Sequence, residues 1–279
     1  MTEEKDMKRF QFGLCEWALK ARGAALCKIV SEAGLEAIQL GIGKEALRGQ
    51  GLLCRELQDE YMEAAEKYGL TFTSISMTVL DHISMCDQND PASREKAMEL
   101  IFEGIRIAKR MGMPMLMCPS FNKSEISGKS AFEMTVENYR KICREAAAQG
   151  LMVTTENNMG AEDMLSLVRL VNADNFGIYF DSQNHYLKYK LSTPDLFEML
   201  KDEVYQIHVK DGRGNDLSGA LLGTGDTEFF KTAEKIVKSS YRGFIVIENY
   251  YTQPPLSTKG NSPKRLLAQD VETLKKAFV

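Results

Sequence analysis

Four apolar, strand-like runs in the second half of the sequence each end on a side chain able to hold a metal. They are Leu151–Glu156, Gly177–Asp181, Tyr205–His208 and Phe244–Glu248. Three carboxylates and one imidazole are mostly hard donors. Such a set suits one divalent ion in near-octahedral geometry, Mn²⁺ first and then Mg²⁺, with two positions left for substrate or water. Co²⁺ and Zn²⁺ stay in consideration because affinity follows the metal series more than the protein's preference. A structural zinc site would want cysteines, and none accompanies these residues. The chemistry expected is metal-assisted work on an oxygen-rich small molecule.

Taken singly, none of the four is specific. A lone Glu or Asp at a strand end is more often a cap or a solvated loop residue, and a lone His in a strand more often a hydrogen-bonded core residue. Their joint placement carries the weight, because four consecutive strands offer a ligand at the same end. In Thr154-Thr155-Glu156-Asn157-Asn158 the amides can orient the carboxylate. Asp181 opens Asp181-Ser182-Gln183-Asn184-His185, His208 sits in His208-Val209-Lys210-Asp211-Gly212-Arg213, and Glu248 in Glu248-Asn249-Tyr250.

Other side chains compete for attention. Trp17, the only tryptophan, follows the first strand and reads either as a platform for a sugar ring or as core packing. His82 follows the third strand at the active end, as a substrate contact or a surface-loop residue. Gly212, Gly214, Gly219, Gly223 and Gly225 make a flexible loop where barrels often bind phosphate. With no basic cluster beyond Lys210 and Arg213, that loop reads as a turn-rich lid rather than a phosphate cradle.

Elements must hold these residues in place. Eight apolar runs recur: Phe10–Cys15, Leu35–Leu40, Leu70–Met77, Met113–Cys118, Leu151–Glu156, Phe176–Asp181, Val204–Val209 and Phe244–Glu248. Amphipathic helical stretches such as Asp59–Lys67 and Ala97–Arg110 separate them. Strands alternating with helices imply a parallel sheet, and eight units in 279 residues favour a closed (β/α)8 barrel, one domain over residues 1–279. Gly34, Gly69, Gly112, Gly150, Gly177 and Gly243 fall at the entries to strands, where a left-handed residue can end a helix. Helix starts are read at Ser93 with Lys96, at Thr193-Pro194-Asp195, and at Asp226. The long irregular stretches all follow strands, the end where such a barrel keeps its specificity.

Composition narrows the function classes. A formal net charge of −4 gives no reason to expect nucleic acid or an anionic membrane as partner. The N-terminal MTEEKDMKRF lacks the apolar core of a signal peptide, and no apolar stretch is long enough to span a membrane. The six dispersed cysteines read as reduced core thiols of a cytoplasmic protein.

With these motifs in place, the chain resembles the xylose-isomerase-like TIM barrels of the sugar (phosphate) isomerase/epimerase group. Glu156, Asp181, His208 and Glu248 match that family's Glu-Asp-His-Glu metal set in order and spacing, and Leu222–Asp226 (LGTGD) matches its glycine-rich segment. The resemblance implies a carbohydrate substrate and a homodimer or homotetramer. It implies that Glu156 and Glu248 double as an acid/base pair around a metal-bound enediolate. It further implies that His185 binds a substrate oxygen, as does, more loosely, Arg213. Many relatives end the second strand in a glutamate, where this chain has Gln39. A lyase on a keto-sugar or keto-inositol, either a dehydratase or a C–C or C-glycoside cleaving enzyme, begins with the same proton abstraction. For it, His185, Lys210 and Tyr250 are the candidate proton donors. A repair endonuclease of this fold would need a histidine-rich three-metal cluster, and three histidines count against it. A non-catalytic subunit would be expected to have lost a ligand or a glutamate, and none is missing.

Overall fold

In the computed structural model, which describes residues 8–279, eight parallel strands pair in sequence order and β8 closes on β1. The strands are β1 (Phe10–Cys15), β2 (Ala37–Gly41), β3 (Thr71–Ser76) and β4 (Met115–Ser120), then β5 (Met152–Asn157), β6 (Phe176–Asp181), β7 (Val204–Val209) and β8 (Gly243–Ile247). Among the described residues nine α-helices accompany them: α1 (Gly23–Glu32), α2 (Arg55–Tyr68), α3 (Pro91–Arg110), α4 (Gly128–Ala148), α5 (Ala161–Val171), α6 (Asn184–Tyr189), α7 (Thr193–Leu200), α8 (Phe229–Lys238) and α9 (Pro263–Ala277). This is the (β/α)8 TIM barrel expected from strands alternating with helices, with strand bounds within two residues of the sequence reading at every end. Most of MTEEKDMKRF, read as lacking a signal peptide, lies outside the described residues. No helix among the described residues is long and apolar enough to cross a membrane.

The main core lies between the sheet and the helices, built on Leu14, Ile38, Ile75, Leu116 and Phe197 among others. A small second cluster of Met115, Met117 and Tyr179 packs separately, with the Tyr179 ring 4.2 Å from that of His208. Gly34, Gly69, Gly112 and Gly150 take φ of 73°, 64°, 69° and 74°, ending α1 to α4. Gly177 serves differently. Its φ is ordinary, but the Tyr205 ring lies where a Cβ would stand, 2.1 Å away.

Tyr205 is displaced outward because the β6–β7 register shifts there: Ile178 faces Val204, and Tyr179 faces Gln206. Beyond the shift, Asp181 stands directly opposite His208. A one-residue slip would turn the imidazole to the other face of the sheet. The register irregularity therefore positions the site.

Two helix starts differ from expectation. Asp90, not Ser93, caps α3: its Oδ1 accepts from Ser93 N at 2.9 Å, while Ser93 Oγ accepts from Ser84 N. Pro91 already occupies the first helical position, so the cap must precede it. Helix α8 begins at Phe229 after Glu228, and Asp226 instead accepts from Gly214 N. The short α6, directly after β6, was not anticipated.

Candidate metal centre

The four carboxylate and imidazole side chains converge. One ligand atom from each of Glu156, Asp181, His208 and Glu248 lies within 4.8 Å of every other, and all four residues are buried. Glu156 is next to last in β5, Asp181 last in β6, His208 next to last in β7, and Glu248 one residue past β8. His208 Nδ1 stands 3.3 Å from Glu156 Oε1 and 3.5 Å from Glu248 Oε2. These are separations that donors adopt around a shared cation.

Neighbouring groups aim the carboxylates. Asp181 Oδ1 accepts from the backbone N–H of Gln183 (2.8 Å) and Asn184 (2.6 Å). Its Oδ2 is buried and has no hydrogen-bond partner among the described residues. Asn184 Nδ2 donates to Glu156 Oε1 at 2.9 Å, and Trp17 Nε1 to Glu248 Oε1 at 3.0 Å. Lys210, 2% exposed, reaches Glu248 Oε2 in a short ion pair and lies 3.2 Å from Asp181 Oδ2 without hydrogen-bond geometry.

Charge tests whether a cation fits. Three carboxylates against the one ammonium of Lys210 leave two negative charges uncompensated when His208 is neutral. Buried charge left unpaired is costly, and a divalent cation is the group that offsets this deficit. The orphaned Asp181 Oδ2 and the oxygen-rich donor set point the same way. The residues fit one hard divalent ion.

The same electrostatics separate the two glutamates. Burial raises the Glu156 carboxyl above its ordinary value, partly opposed by His208 and reinforced by the Glu248 charge. Burial would raise Glu248 as well, but Lys210 and His208 outweigh it and hold that carboxyl low. Burial disfavours the charged His208 imidazole, yet Glu248 and Glu156 raise it on balance. Lys210 is pushed well up because Asp181 and Glu248 outweigh its burial.

Above the cluster opens a cavity of about 640 Å³, lined by Glu156, Glu248, Lys210, Trp17, Asn184 and Tyr250 among others. Ser76 Oγ and Asn158 Oδ1, also on its wall, are buried without hydrogen-bond partners among the described residues. Both can meet substrate hydroxyls.

The remaining expected contacts divide. Trp17 lines the cavity, so its place is in the site rather than the core. Lys210 lies on the floor. His185 is turned away: Nε2 bonds Met159 O at 2.8 Å, and the residue does not line the cavity. Asn184, one position earlier on α6, takes the place assigned to it. Helical geometry points adjacent residues about 100° apart, so only one of the two can face the substrate. Arg213 is exposed and gives its guanidinium to Thr224 O, and His82 is exposed on a turn, so neither reaches the cavity.

The glycine-rich loop after β7 is not a loose lid. Asp211 gathers the N–H groups of Gly212, Gly223 and Gly225 and the Thr227 hydroxyl at 2.8–2.9 Å. Asp270 on α9 accepts from Leu222 N (2.8 Å), Asn249 Nδ2 (2.6 Å) and Tyr251 OH (2.6 Å). Glycine supplied tight turns here, and buried carboxylates fixed them.

An eight-stranded parallel barrel with ligand-type side chains converging where its strands end belongs to the class of barrel enzymes that work from the C-terminal mouth. Residues 27–277 match the family model described as xylose isomerase-like TIM barrel, and the chain belongs to that family. Over 216 residues it is 28% identical to the 2-epi-5-epi-valiolone 7-phosphate 2-epimerase of Actinoplanes sp., covering 76% of this chain and 77% of that one. Its fold matches D-psicose 3-epimerase from Clostridium cellulolyticum H10, with D-tagatose, at a TM-score of 0.76 and 14% identity, covering 96% and 99% of the two chains. The probable 3-DHS dehydratase of Bacillus anthracis also matches, at a TM-score of 0.71 and 18% identity over 95% and 98%. The Actinoplanes relative supports the expectation of an isomerase or epimerase.

Proposed function

We propose that the chain is a divalent-metal-dependent isomerase or epimerase of sugars or sugar phosphates, acting by proton abstraction next to a carbonyl through an enediolate. One observation carries the reading: two buried glutamates, Glu156 and Glu248, border the same cavity and flank the same imidazole nitrogen at 3.3 and 3.5 Å. Glu156, Asp181, His208 and Glu248 would hold the ion, Mn²⁺ by preference. When bound it supplies positive charge for the oxygen that becomes negative as the proton leaves.

The chain's own groups divide the remaining work. Glu156, made more basic by burial, takes the proton from the substrate carbon and later gives it to solvent. Glu248 returns one to the opposite face, drawing it from the Lys210 ammonium paired with its Oε2, and Lys210 is reprotonated from solvent. Trp17 fixes the Glu248 carboxylate, and Asn184 fixes that of Glu156. Lys210 neutralises one of the buried charges and binds a substrate oxygen. The name of the Actinoplanes relative, a 2-epimerase of a phosphorylated compound, supports stereochemical inversion on an oxygen-rich substrate. The six free thiols support a cytoplasmic setting, and the domain is proposed to self-associate as its family resemblance implies.

A lyase is the second reading, favoured by Tyr250, whose side chain lines the cavity and could protonate a leaving oxygen. The test is incubation of the Mn²⁺-loaded protein with ketoses, ketose phosphates and keto-inositols in D₂O. Deuterium incorporation without loss of water is expected. Elimination of water or of an aglycone would replace the isomerase reading with the lyase one, and no turnover of any of them would defeat both.

A further inference from the structure

Among the buried polar groups that the mechanism above does not use, one touches a proposed ligand. Gln39 on β2 is fully buried inside the barrel beneath the carboxylates, at the irregularity where Ile38 faces Phe72 but Leu40 faces Ile75. Its side chain lies against the ring of His208 on the side away from Glu156 and Glu248, with Oε1 2.6 Å from Nε2.

The hydrogen bonds run in one direction. Gln39 Nε2 donates to Ser74 Oγ at 3.0 Å, and Ser74 Oγ donates to Gln206 Oε1 at 2.9 Å. Cys15 Sγ donates to Gln39 Oε1 at 3.2 Å. With its amide nitrogen committed to Ser74, Gln39 presents only its oxygen to the imidazole. An amide oxygen can accept and cannot donate. Cys15 Sγ also lies 3.4 Å from His208 Nε2, but the amide oxygen is nearer and accepts from both. This arrangement favours a hydrogen on Nε2 and leaves Nδ1 to face Glu156 and Glu248.

Resting on the metal-centre reading above, we infer that Gln39 is a positioning residue: it holds His208 as the Nε2–H tautomer, with the Nδ1 lone pair directed into the carboxylate cluster. A ligating imidazole needs a partner on its far nitrogen to fix tautomer and ring orientation. The neutral amide does this without adding a fourth negative charge to a cluster that already carries three. Gln206 and Ser74 lock the amide in turn, so the device is a hydrogen-bonded row across the barrel interior from β2 through β3 to β7.

Two measurements test it. In the first, ¹⁵N NMR of the wild-type protein loaded with Zn²⁺ is expected to show His208 with hydrogen on Nε2 and metal on Nδ1; coordination through Nε2 would overturn the inference. In the second, Mn²⁺ is titrated by its EPR signal into wild type, Gln39→Met and Gln39→Glu, with folding followed by circular dichroism. Gln39→Met is expected to bind Mn²⁺ about 10- to 100-fold more weakly. Gln39→Glu, whose carboxylate still accepts from Nε2 and adds a negative charge near the ion, is expected to bind Mn²⁺ at least as tightly as wild type. A loss like that of Gln39→Met would overturn the inference. A folded Gln39→Met with wild-type Mn²⁺ affinity would sink the inference while leaving the metal centre intact. Should Gln39→Met fail to fold, the wild-type NMR result decides alone. Wild type binding neither ion would remove the metal reading and this inference together.

Discussion

The indole N–H of Trp17 donates to Glu248 Oε1 at 3.0 Å, across 231 residues of sequence, and so ties the end of the first strand to the end of the last. The bond spans the point where the barrel closes, β1 against β8. Trp17→Phe keeps an aromatic face in the cavity and removes the donor. A hydrogen bond to a charged group is worth about 1.5–3 kcal/mol. The variant is expected to lose about tenfold in kcat with KM changed less than threefold, read from steady-state kinetics on whichever ketose the D₂O panel identifies. A change confined to KM would make Trp17 a sugar platform only.

Glu156→Gln and Glu248→Gln keep the shape of each side chain and remove its basicity. Each is expected to slow turnover by about 100-fold or more. Exchange of the substrate's carbon-bound hydrogen with D₂O separates them, because the residue that takes the proton abolishes exchange from that face. Wild-type exchange in Glu156→Gln would withdraw the proton-transfer role assigned to it.

The proposed metal binding should be visible in stability without any substrate. Mn²⁺ at 100 times its Kd is expected to stabilise the fold by about 2.7 kcal/mol in urea titrations, and chelation to reverse it. Asp181→Asn replaces the orphaned oxygen's charge by an amide and should lose most of this increment. An equal increment in the variant would place the ion elsewhere.

The four side chains that converge were legible in the sequence, because each ends a short apolar run that a polar loop follows. The contacts around them were not. Asn184 and His185 are adjacent, and only the start of α6 decides which of them faces the cavity. Gln39 reads in sequence as an isolated polar residue in an apolar strand. Its meaning depends on register shifts between β2 and β3 that no local pattern announces. Arg213 and His82 sit in loops, where sequence order says little about direction.

For those two residues the expected outcome is a null effect. Arg213→Ala and His82→Ala should leave kcat and KM within about twofold of wild type, as surface substitutions away from packed features do for stability. A tenfold rise in KM for either would show that the loop carrying it folds over the substrate.

Asp270 predicts a pH dependence of stability. Burial lifts its carboxyl from 3.8 to about 6, against the opposing hydrogen bonds from Tyr251, Asn249 and Leu222. A folded value above the unfolded one means that the folded state binds the proton more tightly. The associated stability is complete below pH about 4 and is lost as pH rises through about 6. The amount is of order 3 kcal/mol. Asp270→Asn should flatten that stretch of the profile in urea denaturation, and should cost about 1–3 kcal/mol at pH 7 by setting its amide against that of Asn249. A profile unchanged between pH 4 and 6 would clear Asp270 of the effect.

The clasp that Asp211 makes around Gly212, Gly223, Gly225 and Thr227 bears on how substrates are chosen. On this side of the mouth the turns of the loop are pinned at Gly212, Gly223, Gly225 and Thr227, which leaves it little to pull shut. The rim acts as a fixed gauge: a molecule is admitted by its outline and by what its hydroxyls meet inside. Under the proposed function, broad tolerance among similar sugars, rather than discrimination by closure, is the behaviour expected of such an opening.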